Sequence, residues 1–424
     1  MKNGVILFVL MVCVELTFAQ QFQKKNEIAL PDSIQGAQSI WADLDNDGLL
    51  DILIVGRSNS TRSHLYFIKG DTVNIPILKM ETVPIPDHQT IDIVDYDLDN
   101  DMDVIVSGKR NGVDTTAVYL NKGSFQFEEH FLNVPAFTIS KFVDLDNDAN
   151  MDWIVSGIDN GVPFTKILKR KQDYFWNIVH DSIKFSLTAL EVIDANGDGR
   201  FDLFLSGRVK PDSLVSGFLI NQNSFYFIPE STIELQGIST SADVNADGLF
   251  DVLISGKDLN NADQTKLYLS GSGNYTISNY PLVLKDAHSF MADLNSDGVV
   301  DVNYLGKNNS DETLNINKYD DQDYDTLNSN NLVAQRFGDM DHDGDLDLIQ
   351  LVQRDSLYLV VYENAPGQKN IAPKRPPRAV ALPIFNRVFL YWDKPNDDHT
   401  PISSLTYDVF LNGNTEYQVG SFDL

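Results

Sequence analysis

Short apolar runs recur along the chain, and each follows a polar, acidic loop. Two clear runs are Ile-Leu-Ile-Val after Asp51, ending at Gly56, and Val-Leu-Ile-Ser after Asp251, ending at Gly256. They are too short for helices and rich in β-branched residues, so they read as strands. A strand such as Ser39-Ile-Trp41-Ala42 enters the loop, and the apolar run leaves it. After a polar turn comes a third strand, as in His64-Leu-Tyr66-Phe-Ile68, Thr116-Ala-Val118-Tyr-Leu120 and Thr265-Lys-Leu267-Tyr-Leu269. A second turn, such as Asn121-Lys-Gly123 or Ser270-Gly-Ser-Gly273, precedes a fourth strand such as Phe125-Gln-Phe127.

The acidic loops open at Asp43, Asp95, Asp144, Asp194, Asp243, Asp293 and Asp339, at spacings of 52, 49, 50, 49, 50 and 46 residues. A fixed period of this size marks an array of one supersecondary unit, and four strands per unit make a propeller blade. The expected fold class is therefore all-β: a seven-bladed β-propeller with one calcium loop per blade, over residues 22–366. The seventh unit lacks a fourth strand after Tyr362, while residues 22–36 resemble one. The N-terminal strand is expected to complete the last blade, so that the ring has no open edge. Beyond Gly367 the composition changes. Residues 367–377, with Pro373, Pro376 and Pro377, read as a stiff linker. Residues 378–424 read as an incomplete β-sandwich module, with strands at Arg387-Val-Phe389-Leu-Tyr391-Trp392 and Leu405-Thr-Tyr407-Asp-Val409-Phe-Leu411.

Carboxylates at alternate positions of a short loop suit a hard cation. Ca²⁺ takes about six to eight oxygens, whereas Mg²⁺ demands a tighter octahedron. Positions 1, 3, 5 and 9 of the successive loops supply the candidate ligands. They are Asp43, Asp45, Asp47 and Asp51; Asp95, Asp97, Asp99 and Asp103; and Asp144, Asp146, Asp148 and Asp152. Asn takes position 3 in the next three: Asp194, Asn196, Asp198 and Asp202; Asp243, Asn245, Asp247 and Asp251; and Asp293, Asn295, Asp297 and Asp301. The seventh loop offers Asp339, Asp341, Asp343 and Asp347. A main-chain carbonyl at position 7 would add another oxygen. Position 6 needs a sharp turn, which Gly48, Gly199, Gly248, Gly298 and Gly344 accept and Asn100 tolerates. Ala149 there should make the third loop the most strained. An EF-hand would close with Glu at position 12 between helices, which does not match this spacing or these flanks.

Net charge is −29 from 61 acids and 32 bases, which argues against nucleic acid as a partner. Seven divalent ions would cancel roughly half of it and relieve the repulsion. Residues 1–19 read as a secretory signal: Lys2, an apolar stretch from Val5 to Val14, and Thr17-Phe-Ala19, with cleavage after Ala19. The expected location is secreted or at the cell surface. Cys13, the only cysteine, lies inside this segment, and no run is long enough to span a bilayer.

The repeated D-x-[DN]-x-D-G-x-x-D-h-h-h-x-G, followed by Leu-Tyr-Leu, resembles the FG-GAP/VCBS repeat family, which includes the integrin α-subunit propeller. The resemblance implies Ca²⁺ in the loops and a role in adhesion or ligand binding. Pro376, Trp392 and Tyr407 make residues 373–424 resemble the first half of a fibronectin type III domain. The main expectation is a non-catalytic propeller that binds a glycan or an extracellular protein, with the oligomeric state open. The alternative is the propeller of a polysaccharide-active, lyase-like enzyme. The seven His show no metalloprotease spacing, and there is no nucleophile elbow or Gly-rich phosphate loop. An enzyme should break the repeat symmetry with unlike groups converging in a cleft. Lys and Arg after the blade glycine (Arg57, Lys109, Arg208, Lys257, Lys307) could ring one face.

Overall fold

The computed structural model describes residues 22–364 apart from 31–33, 59–62, 71–76, 84–86, 124, 149, 173–174, 182, 211, 224, 272–274, 319–323, 328–329 and 342, together with 375–376, 378–384, 387–393, 406–412 and 416–423. The signal segment with Cys13, Ala149, His342, His399, the side chains of Arg57 and Tyr407, and linker positions 367–374 and 377 lie outside the described part.

Each repeat folds into a four-stranded antiparallel sheet. In the first blade the strands are Ile34–Ala42, Asp51–Ser58, Ser63–Ile68 and Ile77–Val83, hydrogen-bonded in sequence order. The next five blades repeat that order. Every acidic loop is the turn of the first hairpin of its blade. Its closing Asp opens the second strand and pairs with the last residue of the first: Ala42 with Asp51, Val94 with Asp103, Val143 with Asp152, Ile193 with Asp202, Ala242 with Asp251, Ala292 with Asp301, Gly338 with Asp347. No helix occurs among the described residues, hence none long and apolar enough to cross a membrane.

The core consists of slabs between neighbouring blades, which explains why the second strands are apolar without alternation. Successive side chains of a strand point to opposite faces of its sheet. Ile52 and Ile54 accordingly join the slab against the seventh blade, with Ile349, Leu351 and Leu359. Leu53 and Val55 join the slab against the second, with Val104, Val106 and Ala117. The same sharing continues to the slab between blades six and seven. Six of the seven runs end on a glycine, and in blades three to six, at Gly157, Gly207, Gly256 and Gly306, close approach of a neighbour requires it. A Cβ on Gly256 would lie 2.1 Å from the Gln236 carbonyl oxygen of the adjacent strand.

The seventh blade closes as expected. Its sheet holds Leu332–Gly338, Asp347–Gln353 and Leu357–Asn364, with Phe22–Ala29 as the fourth strand, Phe22 opposite Asn364. Phe22 is 1% exposed and meets Phe337 edge-on at 5.9 Å. First strands of neighbouring blades touch one another, which places them around the axis of the ring. Phe290 stacks on Phe337 at 5.0 Å to complete the circle between blades six and seven. The described residues after 378 form two hairpins, Ala379–Ile384 with Arg387–Trp392 and Thr406–Asn412 with Glu416–Asp423.

Candidate functional site

Two features carry chemistry: the seven acidic loops and the residues that face the axis. In each loop the opening carboxylate folds the backbone around itself. Asp43 accepts hydrogen bonds from the N–H groups of Asp47 (3.2 Å) and Gly48 (2.9 Å). Asp95, Asp194, Asp243, Asp293 and Asp339 make the same pair of contacts. The position-5 carboxylate in turn accepts the N–H two residues on, as Asp47 does from Leu49 at 3.0 Å. This winding requires a left-handed residue at position 6, with φ of +86° at Gly48 and +70° at Asn100. It also requires one at position 4, which the sequence reading did not foresee: Asn46, Asn147 and Gly197 fit there, whereas Leu98 and Ala246 do not fit easily.

The closing Asp is a strap as well as a candidate ligand. Asp103 accepts the N–H of Tyr96 at 2.7 Å on one oxygen and that of Asn121 at 2.7 Å on the other, so it ties the loop to the end of the third strand. All seven closing carboxylates are at most 1% exposed. Burial pushes Asp51 up to about 6, Asp103, Asp152, Asp202, Asp251 and Asp347 to about 7, and Asp301 to about 8, with backbone N–H donors pulling the other way.

Position 3 tests whether a metal fits. In loops one, two, three and seven the carboxylates converge. The groups are Asp43, Asp45 and Asp51; Asp95, Asp97 and Asp99; Asp144, Asp146 and Asp152; and Asp339, Asp341 and Asp347, with ligand oxygens within 4.8 Å of one another. In all four, the Oδ1 of the position-3 Asp is buried without a hydrogen-bond partner: Asp45, Asp97, Asp146 and Asp341. A buried carboxylate oxygen with no donor is costly unless a cation meets it. These residues therefore fit a metal ion. In loops four, five and six, Asn196, Asn245 and Asn295 direct their carbonyl oxygens to the N–H of position 5, each at 3.0 Å.

Basic side chains that the motif did not reveal reach into several loops. Lys69 pairs with Asp45 and Asp47, Lys122 with Asp97, and Lys169 with Asp146 and Asp148. Arg200, inside the fourth loop, pairs with Asp198 and donates to the Asn221 carbonyl at 2.9 Å. Asn121, Asn221 and Asn364 link loops of adjacent blades through Nδ2 donation to the carbonyls of Leu44 (2.7 Å), Leu145 (2.8 Å) and Leu294 (2.8 Å). The cations after the blade glycine serve local pairs: Lys109 with Asp114 and Lys257 with Asp263.

Around the axis the repeats cease to be alike. Ile40, Asp92, Lys141, Glu191, Thr240, Phe290 and Arg336 occupy one register, opposite Leu53, Ile105, Ile154, Phe204, Leu253, Asn303 and Ile349. Asp92 bonds Ser140 of the next blade, and Glu191 bonds Ser239 at 2.7 Å and Ser241 at 3.3 Å of the next blade. Burial pushes the Asp92 carboxyl up, with the Ser140 bond and the nearby Lys141 opposing it. Arg336 is an exposed residue whose Nη1 donates to the Gln335 carbonyl at 2.8 Å, yet surrounding protein disfavours its charge, and that charge helps burial push His288 down.

The FG-GAP-like repeat family matches residues 43–106. No curated protein sequence matches the chain. Among solved structures, the chain is similar to an exotype rhamnogalacturonan lyase, YesX, with TM-score 0.50 and 12% identity over 81% of this chain and 76% of that one. It also matches the polysaccharide lyase Uly1, with TM-score 0.47 and 9% identity over 84% of this chain and 94% of that one. A third match is the Aleuria aurantia lectin with α-methyl-L-fucoside, at TM-score 0.39 and 8% identity over 70% of this chain and 96% of that one. At these identities the likeness concerns the fold. It nevertheless corrects the expectation that the protein is not an enzyme. That expectation rested on repeat symmetry, whereas the architecture is shared with a lyase and the axial register of this chain is not symmetric.

Proposed function

We propose that the chain is a polysaccharide-active enzyme of the lyase kind, with Ca²⁺ in its acidic loops and its chemistry at the axis of the ring. The observation that carries this reading is the set of unlike titratable groups at one register of the first strands: Asp92, Lys141, Glu191 and Arg336. Catalysis needs such a departure from the repeat. The similarity to a rhamnogalacturonan lyase supports the substrate class, a polysaccharide containing uronate.

The chemistry would be β-elimination. A base removes the proton on the carbon next to the uronate carboxyl. The electron pair forms a double bond to the neighbouring carbon, and that carbon's bond to the glycosidic oxygen breaks. Lys141 and Arg336 would neutralise the substrate carboxylate, which acidifies that proton. Arg336 suits this role because a surrounded guanidinium gains from a bound anion. Asp92, whose burial favours the protonated carboxyl, would donate to the leaving oxygen, and Glu191, held by two serines, would be the base. Bound Ca²⁺ would supply fixed positive charge that holds the loops. On the reading of residues 1–19, the protein works outside the cell, and the two hairpins within residues 378–424 would belong to a fibronectin type III-like module.

The test is to incubate the purified chain with Ca²⁺ and a panel of uronate polysaccharides, including rhamnogalacturonan and polygalacturonate, and to follow ultraviolet absorbance of the unsaturated product. Absorbance should rise and should be lost in Arg336→Ala and Asp92→Asn. Absence of product across the panel, or product that survives both substitutions, would overturn the proposal.

A further inference from the structure

The seventh loop shares with the second alone an acid that the ligand motif does not describe, and only in the seventh is that acid buried. Its sequence is Asp339-Met-Asp341-His-Asp343-Gly344-Asp345-Leu-Asp347, so it has a fifth carboxylate at position 7. Elsewhere that position holds Leu49, Asp101, Asn150, Arg200, Leu249 or Val299. Asp101 is spent on the first loop, where its Oδ1 accepts from Asn46 Nδ2 at 2.6 Å. Asp345 is 6% exposed, its Oδ1 is buried without a hydrogen-bond partner, and it lies among Asp341, Asp343 and Asp347. The charges that act on it within the loop are the carboxylates of Asp343, Asp347 and Asp341. Lys25 of the closing strand, paired with Glu363, lies within electrostatic range of Asp341 and Asp347.

The same loop touches the closure of the ring. Asp347 Oδ1 accepts the N–H of Asn364 at 2.9 Å. Asn364 Nδ2 donates to the carbonyls of Leu294 (2.8 Å) and Leu346 (3.0 Å), which reaches the neighbouring sixth blade. Asn364 also pairs with Phe22, the first residue of the closing strand, whose ring lies in the slab with Leu294, Phe337 and Leu348. The order of the seventh loop is thus connected through one residue to the strand that seals the propeller.

We propose that Asp345 is a direct metal ligand, that the seventh loop is the tightest hard-cation site of the ring, and that a cation there latches the N-terminal strand in place. The affinity of such sites rises with the number of charged ligands. Without a cation, five carboxylates within nine residues repel one another and loosen the loop, and with it Asn364 and Phe22. The proposal rests on the loops being cation sites and is independent of any catalysis.

The experiment uses the full chain, wild type, Asp345→Asn, and Asp247→Asn in the fifth loop. Calcium titration by calorimetry is combined with hydrogen exchange of residues 22–29 and melting in EDTA. In the wild type, Ca²⁺ should slow exchange over residues 22–29 at least tenfold. Asp345→Asn should weaken the tightest site at least tenfold and lose that protection, while its melting temperature in EDTA stays level or rises because a repulsion is gone. Asp247→Asn should leave the tightest site and the strand protection as they are. The opposed response of melting and affinity separates lost ligation from misfolding. A tightest site retained in Asp345→Asn, or exchange of residues 22–29 indifferent to Ca²⁺, would overturn the proposal.

Discussion

The acidic loops and the axial register are built on the same hairpins, yet they have diverged to different degrees. The closing Asp is identical in all seven blades and buried in each. It joins the loop to the end of the third strand in blades one, two, four, five and seven, while Asp152 and Asp301 hold their own loops through Leu145 and Leu294. Three residues before each loop opens, the chain instead places Ile40, Asp92, Lys141, Glu191, Thr240, Phe290 and Arg336. At that register the side chains meet different neighbours in the adjacent blade, Ser140 for Asp92, Ser239 and Ser241 for Glu191 and Phe337 for Phe290, so the repeat imposes no common residue. Symmetry in this molecule marks what holds the ring together, and broken symmetry marks where it can recognise something.

Removing metal should produce the largest effect, because it acts on every loop. A site saturated at a hundred times its Kd contributes about 2.7 kcal/mol to the native state. Several occupied loops should therefore raise the melting temperature strongly, measured by calorimetry with excess Ca²⁺ and again in EDTA. If the two melting curves coincide, the loops are ordinary acidic turns and the contrast disappears.

Substitutions can divide the two regions directly. In calcium-saturated protein, Asp103→Ala leaves the N–H groups of Tyr96 and Asn121 buried without an acceptor and should cost about 3 kcal/mol in denaturant unfolding. Lys141→Ala should change stability by no more than about 0.5 kcal/mol, as at other surface positions, while depressing product formation. A Lys141→Ala variant that unfolds as readily as Asp103→Ala would make the axial ring structural.

Acidity offers a finer test of the loops. The closing carboxyls have folded pKa values raised to about 6–8. The folded state therefore binds their protons more tightly than the unfolded chain. Their contribution is full below about pH 4, where both states are protonated, and is lost as pH rises toward 8. EDTA-stripped protein should be more stable at pH 5 than at pH 8, and added Ca²⁺ should restore more stability at pH 8. A flat profile of the stripped protein would mean that these carboxyls stay charged at little cost.

The smallest expected effect concerns Leu98, held at φ +62° in the second loop with its side chain exposed. Leu98→Asn should relieve left-handed strain and add up to about 1 kcal/mol in chemical denaturation. A loss of stability would show that the leucine contributes packing beyond its loop.

Seven in-phase loops, the apolar run after each and the missing last strand sufficed to read the blade number, the strand order and the closure by residues 22–29. Each rests on contacts within one repeat or on a missing partner that only one segment could supply. The sequence alone also named the candidate ligands, and in loops one, two, three and seven three of the four carboxylates converge, since alternate positions of one short loop need no distant residue to meet. Asp345 was legible too, as a fifth acid in the seventh loop, but its burial was not. What the tertiary structure alone decided is which residues meet from different blades. It places Asn121, Asn221 and Asn364 between neighbouring loops, and gathers Asp92, Lys141, Glu191 and Arg336 around one axis. The physical reason is that local winding follows from side chains a few residues apart, whereas groups some fifty residues or more apart acquire a common environment only when the ring closes.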